Sequence, residues 1–108
     1  MGMSLHVHKK HVIELERIHD VFKNNQEAFY EIIRKAGVSN WYPDDYYQFI
    51  EVDREELRQA LPEIAGWEQS AFNSCFNGEV NKEWVLDALQ QMIDESDPNE
   101  EMIYCEWF

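Results

Sequence analysis

The sequence predicts an α+β fold, a mainly helical single domain spanning 1–108 with four or five helices around a small sheet of two or three strands. Three observations predict it. Apolar residues recur at helical spacing in several separate stretches. Most of these stretches begin or end at a residue suited to capping. The chain also closes on Met102 to Phe108, an aromatic and β-branched run that suits a strand. An all-α fold is the alternative, depending on how residues 43–52 are read.

Ser4 to His8 alternates apolar and polar residues and reads as a short strand or an ordered arm. A first helix is expected from His11 to Lys23, where Val12, Leu15, Ile18 and Phe22 follow helical spacing. Asn24 followed by Glu27 resembles a capping box and opens a second helix. That helix carries Phe29, Ile32, Ile33 and Ala36 on one face, and Gly37 ends it in a left-handed conformation.

Residues 38–52 admit two readings. Pro43 followed by Asp44 and Asp45 has the chemistry of a helix first turn. Residues 46–52 are instead rich in aromatic and β-branched side chains, which suits a strand. The strand is preferred because Asp53 starts a fresh helix, with Glu56 at its third position and Val52 and Leu57 placed as a hydrophobic staple.

That helix buries Leu57, Ala60, Leu61 and Ile64, and Pro62 is expected to break or bend it. Gly66 separates it from a helix over Trp67–Phe76, which Gly78 closes. Asn81 caps the last helix, whose buried face is expected to hold Trp84, Val85, Ala88, Leu89, Met92 and Ile93. The expected sheet pairs 46–52 with 102–107, with 4–8 as its third strand.

Composition bounds the function. The chain has 108 residues, 44% hydrophobic, and fifteen aromatic side chains, enough to build a packed core. No apolar run approaches the roughly 18 residues that span a bilayer. No basic-then-apolar leader stands at the start of the sequence, so a cytoplasmic location is expected. Cys75 and Cys105 form no Cys-x-x-Cys pair and are read as two reduced thiols. The net charge is −13. Residues 1–37 hold six Lys/Arg against five Asp/Glu, whereas residues 38–108 hold three against seventeen. Such a field repels nucleic-acid phosphates and anionic membranes and attracts basic proteins.

Catalytic signatures are sparse. Glycine occurs only at 2, 37, 66 and 78, which builds no phosphate-cradling loop. None of the five serines sits in a nucleophile motif, and there is no threonine. The helix–break–helix of residues 53–78 resembles a DNA reader in outline, but its surplus of acids opposes phosphate binding. His6, His8 and His11 are weak candidates for a metal site: alternation along a strand puts 6 and 8 on one side, yet Lys9 and Lys10 between the ligands repel a cation. No cofactor is expected, and no enzymatic activity.

Two segments stand out as partner-binding. Residues 41–49 contain five aromatics and two carboxylates in nine positions: Trp41, Tyr42, Asp44, Asp45, Tyr46, Tyr47 and Phe49. Tyrosine and tryptophan supply rigid contact area with a polar tip, and adjacent carboxylates speed encounter with a basic surface. Glu51 follows on the same strand. The second segment is an acidic turn with five acids in eight residues: Asp94, Glu95, Asp97, Glu100 and Glu101. It lacks the ligand spacing and central glycine of an EF-hand loop.

The expected function is therefore a small acidic protein-binding module. The leading form is an inhibitor or immunity-type protein, or a nucleic-acid mimic, that blocks a basic, nuclease-like partner. The alternative is an adaptor or subunit of a cytoplasmic protein assembly.

Overall fold

The computed structural model describes residues 5–8, 12–14, 21–44 and 49–107. In chain order the elements are β1 Leu5–His8, β2 Val12–Glu14, α1 Gln26–Ala36, β3 Trp41–Pro43, β4 Phe49–Asp53, α2 Arg54–Ala65, α3 Gln69–Phe76, α4 Lys82–Glu95 and β5 Met102–Trp107. The α+β class holds, with four helices and a sheet wider than expected. The sheet has five antiparallel strands in the order β2-β1-β5-β4-β3. The three expected strands, β1, β5 and β4, form its centre, and the C-terminal strand lies between the other two.

The two extra strands are corrections to the sequence reading. The helix expected over His11–Lys23 is not formed in its described parts: Val12–Glu14 is a strand and residues 21–24 are a turn. β2 folds back on β1 with His6 opposite Glu14 and His8 opposite Val12. Val12 and Ile13 are β-branched, and a strand edge waiting for a partner outweighs a helical spacing this short. Phe22 fitted the helical stripe because it is a core residue. It is fully buried, edge-on to Phe29 at 5.4 Å and stacked on Phe76 at 5.6 Å.

β3 was the other omission. Pro43 sits in this edge strand rather than in a helix first turn. Asp53 N–H donates to the Asn40 carbonyl and Asp44 N–H to the Phe49 carbonyl, both at 2.9 Å. Positions 40, 42 and 44 therefore carry the bonded side of the ladder, and Trp41 and Pro43 turn their backbone groups outward. Proline costs no ladder bond there and blunts an open sheet edge against further pairing.

The helix signals were mostly legible, with local shifts. Asn25, not Asn24, caps α1 by accepting from Ala28 N–H at 3.3 Å, while Asn24 takes a positive φ of 59°. Gly37 ends α1 at φ 79°, and Val38 N–H reaches the Ile33 carbonyl, closing a Schellman turn. Asp53 caps α2 by accepting from Glu56 N–H at 2.9 Å. Pro62 neither breaks nor ends α2. It lies on the exposed face with Arg58 four residues before it, so the carbonyl left without a donor faces water. α3 closes at Asn77, left-handed at φ 55°, one residue before the expected Gly78. Asn81 caps α4 by accepting from Glu83 and Trp84 N–H.

On α4, Val85, Ala88, Leu89, Met92 and Ile93 are buried as expected, but Trp84 is 39% exposed. Position 84 lies a full 100° around the helix from Val85, off the stripe defined by 85, 89 and 92.

Helices and sheet share one core. The inward residues of the strands, Leu5, Ile50, Val52, Ile103, Cys105 and Trp107, join the buried faces of all four helices. Trp107 anchors it: its ring lies 5.7 Å from Phe29 and 6.3 Å from Tyr30, and its Nε1–H donates to the Phe22 carbonyl at 3.0 Å. The buried residues of the four helices cluster with these inward strand residues and with none of the outward ones, so no described helix packs its buried face on the opposite side of the sheet.

Candidate functional site

Alternation builds the opposite face, which is uncovered in the sense that no described helix packs on it. β4 reads half-buried, buried, half-buried through Phe49, Ile50, Glu51, Val52 and Asp53, and β5 does the same from Met102 to Trp107. Tyr42, Glu51 and Tyr104 stand directly opposite one another on three adjacent strands. His6, Glu106 and Phe49 form the neighbouring row. The face is thus a row of aromatic rings with carboxylates among them.

The rings on either side of Glu51 make their contacts with other residues. Tyr104 packs against Phe49, centroids 6.3 Å apart. Tyr42 is 57% exposed, its hydroxyl donating to Asn40 Oδ1 at 3.4 Å. Glu51 lies between them and has no hydrogen bond or ion pair among the described residues.

The first segment singled out in the sequence divides between two roles. Trp41 faces inward, stacked on Tyr30 at 5.9 Å with the Arg34 guanidinium 5.7 Å from its ring. It is a packing residue. Asp44 closes the β3–β4 hairpin, its Oδ1 accepting from Phe49 N–H at 3.1 Å. Tyr42 and Glu51 face outward. Asp45, Tyr46 and Tyr47 lie outside the described residues.

The acidic turn is organised by a residue the sequence reading counted only as a charge. Arg54, the first residue of α2, donates from Nε to the Glu100 carbonyl at 3.0 Å and from Nη1 to the Ile93 carbonyl at 3.1 Å. The same guanidinium bonds Ser96 Oγ and the Asp97 carbonyl, and Arg54 N–H reaches the Glu101 carbonyl at 2.9 Å. A guanidinium thus satisfies the end of α4 and the turn after it. Because these bonds, Ser96 Oγ apart, use backbone oxygens, the carboxylates of Asp94, Glu95, Asp97, Glu100 and Glu101 are left at or near the surface. Asp94 accepts from Gln90 Nε2 at 3.0 Å and Asp97 from Asn99 N–H at 2.9 Å. The turn runs directly into Met102, so its carboxylates border one end of the uncovered face.

Glu56, the third residue of α2, also reaches outside its helix. Its carboxylate accepts from Ser39 N–H at 3.0 Å, Ser39 Oγ at 2.9 Å and Asn40 N–H at 3.0 Å. These bonds, led by that from the Ser39 backbone, hold its pKa below the usual carboxylate value. Glu56 thereby ties the start of β3 to α2.

Catalytic candidates gain little from the fold. Burial pushes both thiols up, Cys105 at the core and Cys75 at its margin, which opposes thiolate formation. Gln69 and Asn81 line both recesses between α3 and α4, of about 390 Å³ and 460 Å³, joined by Asn73 and Glu79 in the first and by Lys82 and Glu83 in the second. The amides among these are committed to Val80 and to the α4 cap. Of the histidine candidates, His6 is half-buried on the uncovered face. The side chain of His8, and His11 entirely, lie outside the described residues. No group of three metal-ligating side chains occurs among the described residues, and no helix among them is long and apolar enough to cross a membrane.

Tyr104 and Arg54 are the functional or positioning residues that the sequence does not single out. A signal existed for the first: in Ile103-Tyr104-Cys105-Glu106-Trp107, alternation sets Tyr104 and Glu106 on one side. No protein-family model, curated protein or solved structure matches this chain.

Proposed function

We propose that this protein is a binding module that uses the uncovered face of its sheet, with the bordering acidic turn, to dock on and block a basic protein partner of the nuclease type. The observation that carries the reading is the interleaving of Tyr42, Phe49 and Tyr104 with Glu51 and Glu106 on a face that no described helix covers. Rings supply contact area that slows release, and the charge of −13 draws in a basic surface and speeds encounter. A nuclease cleft, built to hold phosphates, offers such a surface. The unpaired thiols fit a reducing, cytoplasmic setting. On this reading the module acts by occupying its partner and not by chemistry of its own.

Photo-crosslinking residues placed at Tyr42 or Tyr104 test it in native lysate. A basic protein is expected to be captured, with yield falling steeply as salt rises. Capture through helix positions such as Trp84 instead, indifferent to salt, would favour the adaptor reading and overturn this one.

A further inference from the structure

We infer that the Glu51 row is a receptor for a single arginine side chain of the partner, an inference that rests on the docking role of the uncovered face and names the chemistry it recognises. Three features converge. Glu51 is a half-buried carboxylate at the centre of the row, flanked across the strands by Tyr42 and Tyr104. It has no cationic partner among the described residues. Neither flanking ring is committed to the carboxylate: Tyr104 packs against Phe49 and the Tyr42 hydroxyl bonds Asn40.

A guanidinium suits a carboxylate set between two rings better than an ammonium does. It is planar, so it stacks on a tyrosine face while presenting two parallel N–H groups to both oxygens of one carboxylate. An ammonium keeps its water more tightly and offers no fork. The ring faces add attraction for the cation once water is displaced. The molecule shows the same affinity internally, where the Arg34 guanidinium lies over Trp41. Neutral or anionic side chains would leave Glu51 covered and uncompensated, which is costly. The row therefore selects arginine at one position of the partner, while the acidic turn supplies general attraction.

The test uses the intact protein and capped Gly-Arg-Gly, Gly-Lys-Gly and Gly-citrulline-Gly peptides, followed by amide chemical shifts. The arginine peptide is expected to move Tyr42, Glu51 and Tyr104 saturably, the lysine peptide less, and the citrulline peptide not at all. Glu51→Gln should weaken the arginine peptide about tenfold, the scale of one charge-assisted contact. Tyr104→Leu should weaken it as well, while Tyr104→Phe retains it. The spectrum of each variant reports its fold directly. Equal shifts for arginine and lysine peptides, or shifts centred on residues 94–101, overturn the inference. So does an arginine peptide that leaves the Glu51 row unmoved. None of these outcomes depends on a protein partner, so loss of the arginine receptor and loss of the docking reading are distinguishable: crosslinking at Tyr104 to a basic protein persists in the first case and fails in the second.

Discussion

The two faces of the sheet are made by alternate residues of the same strands and have opposite chemistry. Ile50, Val52, Ile103, Cys105 and Trp107 are at most 1% exposed. Phe49, Glu51, Tyr104 and Glu106, interleaved with them, are half-buried and mix rings with carboxylates. The inner face belongs to the common core and is held by burial; the outer face carries half-buried and exposed rings that stand outside that core. A side chain's neighbour across the pleat decides whether it stabilises or recognises, more than its own type does. Tyr30, buried in the core, and Tyr42, 57% exposed, make the point with one residue type.

Substitutions should break this comparison in a graded way. The largest effect is expected on the inner face: Trp107→Ala should destabilise by about 3–5 kcal/mol in denaturant unfolding, through the cavity and the orphaned Phe22 carbonyl. A loss under about 1 kcal/mol would mean that the inner face is not the core. Next comes the clamp at the sheet's end. Arg54→Met removes four side-chain hydrogen bonds and should cost about 2–4 kcal/mol, only partly recovered by Arg54→Lys, which lacks the fork.

A smaller and pH-dependent loss is expected for Glu56→Gln. The folded pKa of Glu56 lies below its ordinary value of 4.5, so its contribution is present above that value and is lost as pH falls through the folded pKa. Wild type and variant should therefore differ in thermal midpoint at neutral pH and converge in acid. A difference that persists unchanged in acid would show that the loss comes from shape and not charge. The smallest effect is expected for Trp84→Ala, about 1 kcal/mol and well below that of Trp107→Ala, because that ring lies at the margin of the buried stripe.

Legibility in the sequence followed the range of the interactions involved. The Asp53 cap, the Gly37 stop and the Asn81 cap each depend on a few consecutive residues, and all three were readable. The outward pair Tyr42 and Glu51 was also singled out, because aromatic and acidic density is a local property. The hairpin β1–β2 was not readable, since apolar residues spaced for a helix served a strand and a core contact instead. Trp41 was taken for a contact residue, yet its partners Tyr30 and Arg34 come from another element.

By itself the sequence determined the α+β class, the helix ends and the surplus of negative charge, because capping, periodicity and net charge are sums over neighbouring residues. Only the tertiary structure decided that β2 and β3 flank the three expected strands and in which register all five pair. Strand order sets Tyr42, Glu51 and Tyr104 side by side from positions far apart in the chain, and it turns Arg54 into the clamp of a turn some forty residues away. Those juxtapositions are long-range contacts settled by burying a shared core, and no local pattern encodes them.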